Sequence, residues 1–243
     1  KLNVSDELSK TLTLLSYLGI AYKGNAVVKD VLSWFEYGIE FLNYGNPIQE
    51  LKMAVSTSEE VKQLMLQMIQ EMDLDIVDFR VEEKEHERIE VFTKHIVDKY
   101  EAELNLVDES SGTRKLFGLL PFIAKSLLLG TTLVIDELDA KLHPKLLRYV
   151  ISLFKNKEIN KYGAQLLFTS HDMYTLKNTV FRRDEIWFAA ETPSHESEIY
   201  SLHEIRGEDN DRIKNTAAYD KQYLEGRYGA DPYLSNMLGG DFS

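Results

Sequence analysis

The 243-residue sequence contains no cysteine. That excludes disulfides and thiolate metal sites, and it fits a cytosolic chain. No apolar run reaches the roughly 18 residues that a membrane helix needs. The longest, Leu116 to Leu129, is interrupted by Gly118, Pro121, Lys125 and Ser126. The start, Lys1 to Ser9, has no signal-peptide pattern and no methionine, so the sequence reads as truncated at its beginning. It has no dense basic run and no internal repeat. With a net charge of −12, its overall field does not draw it to nucleic acid or anionic lipid, which leaves only a local patch assembled by folding.

What is present suffices for a packed core: 44% of residues are hydrophobic and 11% aromatic, in a length that makes one medium domain or two small ones. The first part reads as helical. Residues 5 to 20 carry Leu8, Leu12, Leu15 and Leu18 near helical spacing behind a Ser5 N-cap. Residues 26 to 37 place Val28, Val31, Leu32 and Phe35 on one side. After a turn-rich break from Asn43 to Pro47, residues 57 to 71 open with Glu59 and Glu60, which suit a helix N-terminus.

Beyond residue 72 the pattern changes. Ile76 to Val81, Ile89 to Val97 and Tyr100 to Val107 have the alternation or β-branching of strands. A helix over Leu116 to Leu129, a buried strand at Thr131 to Ile135, a helix over Leu146 to Phe154 and a strand at Gln165 to Thr169 follow. This alternation predicts parallel strands crossed by helices. A hairpin, Glu185 to Ala190 and Glu198 to Leu202, turns through Thr192-Pro193-Ser194, and the tail from Gly207 is polar. The expected organisation is a helical region over 1–72 and an α/β domain over 73–243.

Three segments can carry chemistry. Thr131-Thr132-Leu133-Val134-Ile135-Asp136-Glu137 is a buried strand ending in two carboxylates, where ligands of open α/β sheets sit. Asp136 could hold magnesium, directly or through water, and Glu137 could orient or deprotonate a water. The same pair could simply end a strand and cap a turn. Phe168-Thr169-Ser170-His171-Asp172 ends a second strand one crossover later. His171 could bond a terminal phosphate oxygen or merely cap the helix after it. In Glu109-Ser110-Ser111-Gly112-Thr113-Arg114, hydroxyls, a glycine and free helix N–H groups make either an anion site or an ordinary N-cap.

The order of the three resembles that of ABC-class ATPase heads, including the chromosome-maintenance and DNA-repair branch. Ser110-Ser111-Gly112-Thr113 resembles the signature motif, and Leu133-Val134-Ile135-Asp136-Glu137 resembles Walker B with its catalytic glutamate. Leu138-Asp139-Ala140-Lys141-Leu142-His143-Pro144 looks like the D-loop, and His171 like the switch histidine. The Leu-His-Pro form, the Ser-x-Gly-Thr form and Tyr223-Leu224-Glu225-Gly226-Arg227-Tyr228-Gly229-Ala230 are similar to a bacterial subgroup of AAA-type, ABC-like ATPases, many of which accompany phage-defence systems. The likeness is strongest over residues 100 to 230; the helices before residue 72 resemble the subgroup's helical insert less specifically.

The resemblance implies a P-loop NTPase-like C-terminal lobe with a mainly parallel sheet, binding ATP and Mg. It assigns Glu137 and His171 to catalysis, Asp136 to magnesium, and Ser110, Ser111, Gly112, Thr113, Asp139 and His143 to nucleotide binding. It implies pairing with a second ATPase head around shared nucleotide, and a nuclease or toxin as effector. Two departures stand out. Ser111 replaces a glycine of classical transporters, as the subgroup tolerates. No Gly-x-x-x-x-Gly-Lys-Ser/Thr stretch occurs, and Tyr22-Lys23-Gly24-Asn25 cannot replace it, so nothing here cradles the β- and γ-phosphates. In the family that loop lies in an N-terminal lobe, and the chain reads as starting after it.

Other readings are an interaction module that pairs with a separate phosphate-loop chain, a nuclease, and a purely structural domain. The densest acidic run, Glu82-Glu83-Glu85-Glu87, is interrupted by Lys84 and His86 and reads as a solvated hairpin turn rather than a metal site.

Overall fold

A computed structural model describes residues 13–42, 47–72, 74–84, 88–192, 194–207 and 212–230. The chain divides into two compact units, Lys1–Ser170 and His171–Ser243. The helices before residue 72 and the first strands lie in the same compact unit. The reason is packing. In the helix Glu59–Glu71, the side chains of Val61, Met65, Met68 and Ile69 form a buried stripe at helical spacing, and that helix packs on a long central helix, Ser111–Leu129.

In chain order the first unit contains α1 (Leu14–Ala21), α2 (Ala26–Tyr37), β1 (Ile39–Phe41), α3 (Pro47–Thr57), α4 (Glu59–Glu71), β2 (Ile76–Lys84), β3 (Arg88–Val97), β4 (Tyr100–Asn105), α5 (Ser111–Leu129), β5 (Thr132–Ile135), α6 (Pro144–Lys155) and β6 (Gln165–Phe168). α1 covers only the second half of the expected 5–20 helix and is capped by Thr13, whose Oγ1 accepts from the Ser16 amide at 3.2 Å. Ser5 lies outside the described residues. α2 has the predicted limits, with Asn25 as its cap. The expected 57–71 helix is α4, capped by Ser58. α3 and β1 were not anticipated.

β5 is the middle strand of a parallel sheet in the order β1-β5-β6. Its register sets Val134 beside Phe41 on one side and Leu167 on the other, and Ile135 beside Phe168. The sheet therefore ends with Asp136 and Thr169 emerging together from adjacent strands. β2, β3 and β4 form a separate antiparallel sheet.

α5 is the hub of this unit. Leu116, Phe117, Leu119, Leu120, Ile123, Ala124 and Leu127 are essentially inaccessible. Phe79 of β2 meets Phe117 edge to face, with ring centres 5.3 Å apart. Such a helix, apolar around most of its circumference, needs neighbours on several sides. Pro121 lies within it without ending it. Its C-terminus turns at Gly130, with φ 71°, where an added Cβ would stand 2.5 Å from the Tyr162 carbonyl oxygen; only glycine fits. Lys125 pairs with Glu40 of β1 at 2.7 Å, and Tyr149 of α6 donates to Glu71 of α4 at 2.6 Å.

The second unit holds the hairpin β7 (Trp187–Glu191) and β8 (Ser197–Ser201), then α7 (Tyr219–Leu224). Pro193, in the expected turn, lies outside the described residues. Ile186, Phe188, Leu202, Ile213, Tyr219 and Tyr228 form its core. Tyr200 Oη donates to the Tyr228 carbonyl at 2.6 Å, and burial pushes the Tyr228 hydroxyl up to about 12. Tyr223 and Tyr228, singled out in the sequence, thus lie against Phe188, with ring centres 5.7 and 5.3 Å away.

Candidate functional site

The parallel pairing of β5 and β6 builds the centre of the site. The ladder continues one step past both strands, the Thr169 amide donating to the Ile135 carbonyl at 3.1 Å. This brings Thr169 Oγ1 to the two carboxylate residues. The hydroxyl donates to Asp136 Oδ1 and accepts from the Glu137 amide at 2.8 Å, while the Leu138 amide donates to the Thr169 carbonyl at 3.1 Å. One threonine therefore fixes both the Asp136 carboxylate and the backbone of Glu137. Sequence pattern alone assigns Thr169 no role. Its signal was its position at the end of the strand parallel to the acidic one.

Glu137 is exposed, with φ 47°, in the left-handed region that non-glycine residues enter at a cost of about 1 kcal/mol or more. Its carbonyl accepts from Lys115 Nζ at 2.8 Å. Burial draws the Lys115 ammonium below the usual lysine range, against the opposing pull of Asp139 and Glu137. Lys115 is the second residue that sequence reasoning missed; nothing in the sequence of α5 distinguishes it from an ordinary surface lysine.

The signature-like segment is the first turn of α5. Ser110 is the N-cap, its Oγ accepting from the Thr113 amide at 3.1 Å and lying 2.8 Å from Thr113 Oγ1. Ser110 and Ser111 are exposed, Gly112 partly so, and Thr113 is buried. The turn reads as a cap and also presents helix N–H groups where an anion would find them. Gly112 sits against the D-loop-like segment: an added Cβ would lie 3.2 Å from the Lys141 carbonyl oxygen. Lys141 itself has φ 62°. Asp139 in that segment has a buried Oδ1 without a hydrogen-bond partner, an arrangement that costs about 1–3 kcal/mol when nothing fills it. His143 is exposed and caps α6, its Nδ1 accepting from the Lys145 amide at 3.2 Å, with Pro144 in the first turn.

In the first unit Thr169 joins Asp136 to Glu137, Lys115 of α5 reaches the Glu137 carbonyl, and Gly112 lies against Lys141. His171 is exposed, follows Ser170 directly and begins the second unit. Among the described residues no group of three or more His, Asp or Glu side chains could hold a metal. Glu82 is paired with Arg80, and Glu83 with Lys52 at 2.5 Å; Glu85 and Glu87 lie outside the described residues. The donor set fits a magnesium ion that takes one carboxylate, Asp136, and fills its shell from phosphates and water. No described helix is long and apolar enough to cross a membrane.

Residues 34–177 match the family model described as "AAA domain, putative AbiEii toxin, Type IV TA system". The chain belongs to this family. The match spans every first-unit site residue named above, together with His171. No curated protein matches the chain. Solved structures similar to it include one described as "Structural biochemistry of ATP-driven dimerization and DNA stimulated activation of SMC ATPases", at 13% identity and TM-score 0.49, covering 72% of this chain and 95% of the other. A second is an SMC head bound to the C-winged helix domain of ScpA, at 15% identity and TM-score 0.46, covering 68% of this chain and 55% of the other. A third is the SMC head domain from Thermotoga maritima, at 17% identity and TM-score 0.41, covering 68% of this chain and 53% of the other. The chain therefore spans about half of the last two.

Proposed function

We propose that this chain is the hydrolytic part of an ABC-type ATPase head that closes on a second copy around ATP and so controls an effector. The observation that carries the reading is the Thr169 clamp, which holds Asp136 and Glu137 together at the carboxyl end of a central parallel strand. In this reading Asp136 would hold a magnesium ion, directly or through water, and the ion would supply neutralisation of phosphate charge. Glu137 orients and deprotonates the attacking water. His171 contacts the γ-phosphate. Ser110, Ser111, Gly112 and Thr113 present α5's first turn to nucleotide held by the other head, and Asp139 and His143 join them in binding nucleotide. Because nucleotide then bonds to both heads, it favours the closed dimer, and hydrolysis releases it.

The missing Gly-x-x-x-x-Gly-Lys-Ser/Thr loop favours a second reading of the same site: a module that becomes competent only beside a polypeptide supplying that loop. In either case the effector is a partner protein, a nuclease or a toxin, and the acidic net charge of −12 disfavours nucleic acid as the direct ligand of this region.

The test is ATP-dependent association, read by light scattering, of the assembly that carries both this chain and a phosphate loop. Glu137→Gln accumulates ATP-bound dimers and loses turnover. Turnover at the wild-type rate removes Glu137 from its role. The chain by itself binds ATP weakly and hydrolyses little.

A further inference from the structure

A buried polar cluster lies immediately before the signature-like turn. Thr93 and His95 are on β3, and their side chains share a face of the β2-β3-β4 sheet. Glu109 follows a 3-10 turn at Leu106–Asp108 and directly precedes Ser110. The His95 and Glu109 side chains are only 14% and 11% exposed, and Thr93 is inaccessible. Glu109 Oε1 accepts from Thr93 Oγ1 at 2.6 Å and lies 2.8 Å from His95 Nε2, which donates in the tautomer that satisfies both groups. The same turn is fastened from the other side, where Arg114 Nη1 donates to the Val107 carbonyl at 2.7 Å.

A carboxylate this far from water costs free energy unless it is hydrogen-bonded. Two donors converging on one oxygen remove much of that cost only while Glu109 stays in place. The bonds reach from a strand to the residue immediately before the Ser110 cap of α5. Ser110 caps the helix through its own Oγ, so its position along the helix axis depends on the residue before it.

We infer that Glu109, held by Thr93 and His95, is a positioning residue that fixes the signature turn for contact with nucleotide on the opposing head. This rests on the ATPase reading above and adds residues that none of its motifs contain. Positioning matters because a displacement of about 1 Å at a reacting centre costs as much as 100-fold in rate. The effect falls on the closed state rather than on first capture of ATP, which the phosphate loop performs. It therefore lowers kcat and leaves KM nearly unchanged.

The test uses hydrogen exchange on the chain and turnover in the phosphate-loop-bearing assembly, with Glu109→Ala, Glu109→Gln, His95→Leu and His95→Gln. In Glu109→Ala and His95→Leu, the Thr113 and Arg114 amides exchange at least about 10-fold faster while those of Leu119 to Leu127 keep their protection. kcat falls by about 10- to 100-fold at similar KM. The two glutamine variants keep an acceptor or a donor at the same place and recover most of both losses. If both apolar variants fold and leave exchange in the first turn and kcat as in the wild type, the inference is overturned. Ser110→Arg separates the two layers. Unchanged turnover in that variant defeats the ATPase reading itself, whereas lost turnover there, with wild-type behaviour in Glu109→Ala, defeats only the positioning role.

Discussion

Replacing Glu137 by glycine and, separately, by alanine tests the strained turn that follows β5. At φ 47° a Cβ crowds the backbone, and relief of that crowding by glycine is worth about 1 kcal/mol. At ordinary helix or strand positions the order is reversed, alanine being better than glycine by about 0.5–1 kcal/mol because glycine loses more entropy on folding. The two hydrogen bonds that hold residue 137, from its amide to Thr169 and from Lys115 to its carbonyl, are backbone bonds and survive in both variants. The Glu137 side chain is exposed, so its loss removes little packing. Glu137→Gly is therefore more stable than Glu137→Ala by up to about 1 kcal/mol, or about 2–4 °C in Tm for a chain of this size. Urea midpoints at constant m-value give the comparison. Alanine equal to or more stable than glycine would refute the reasoning, because it would mean that the turn carries no left-handed strain. On the ATPase reading proposed above, both variants also lose turnover.

Thr169→Val removes both bonds of the clamp while keeping side-chain shape. The groups are exposed, so water compensates in part and the cost is about 1–2 kcal/mol. Thr169→Ser keeps the hydroxyl and most of the stability; equal loss in both variants would show that the methyl, not the clamp, matters. Phe79→Ala opens a cavity against Phe117 and destabilises the first unit by about 3–5 kcal/mol, measured by denaturation. In the second unit, Arg182 bonds Asp184 and lowers its carboxyl from the ordinary 3.8 to about 2. A depressed folded-state value means stability that is present above the unfolded value and lost as pH falls. The advantage of wild type over Asp184→Asn is thus constant above about pH 5 and disappears between about pH 4 and pH 2; an advantage independent of pH would show that the pair contributes nothing through ionisation.

The strand pairing at the candidate site was more legible in sequence than the rest of the architecture. Two short apolar runs ending in Asp136-Glu137 and in Thr169 to His171, one crossover apart, announced parallel neighbours, and the β5-β6 register bears that out. The role of Thr169 was hidden because it depends on register across two strands, which hydrophobic pattern alone leaves undetermined. β1 was missed because three residues carry no periodic signal and its partner, β5, lies some ninety residues further on. α3 was missed because Pro47 was read as part of a break, whereas a proline at the first helical position costs nothing. α5 begins at Ser111 rather than Leu116 because the Ser110 cap, not the first apolar residue, sets the boundary. A change from helices to strands near residue 72 says nothing about which faces pack together, and the compact units meet after Ser170.

The claim that two heads share one nucleotide meets its most direct test in mixing two inactive variants of the phosphate-loop-bearing assembly, Ser110→Arg and Glu137→Ala. In a two-fold sandwich each mixed dimer contains one site with both lesions and one intact site, so mixing equal amounts restores about a quarter of wild-type ATP turnover. No recovery after subunit exchange would mean that Ser110 and Glu137 serve the same site within one head, and would contradict the account.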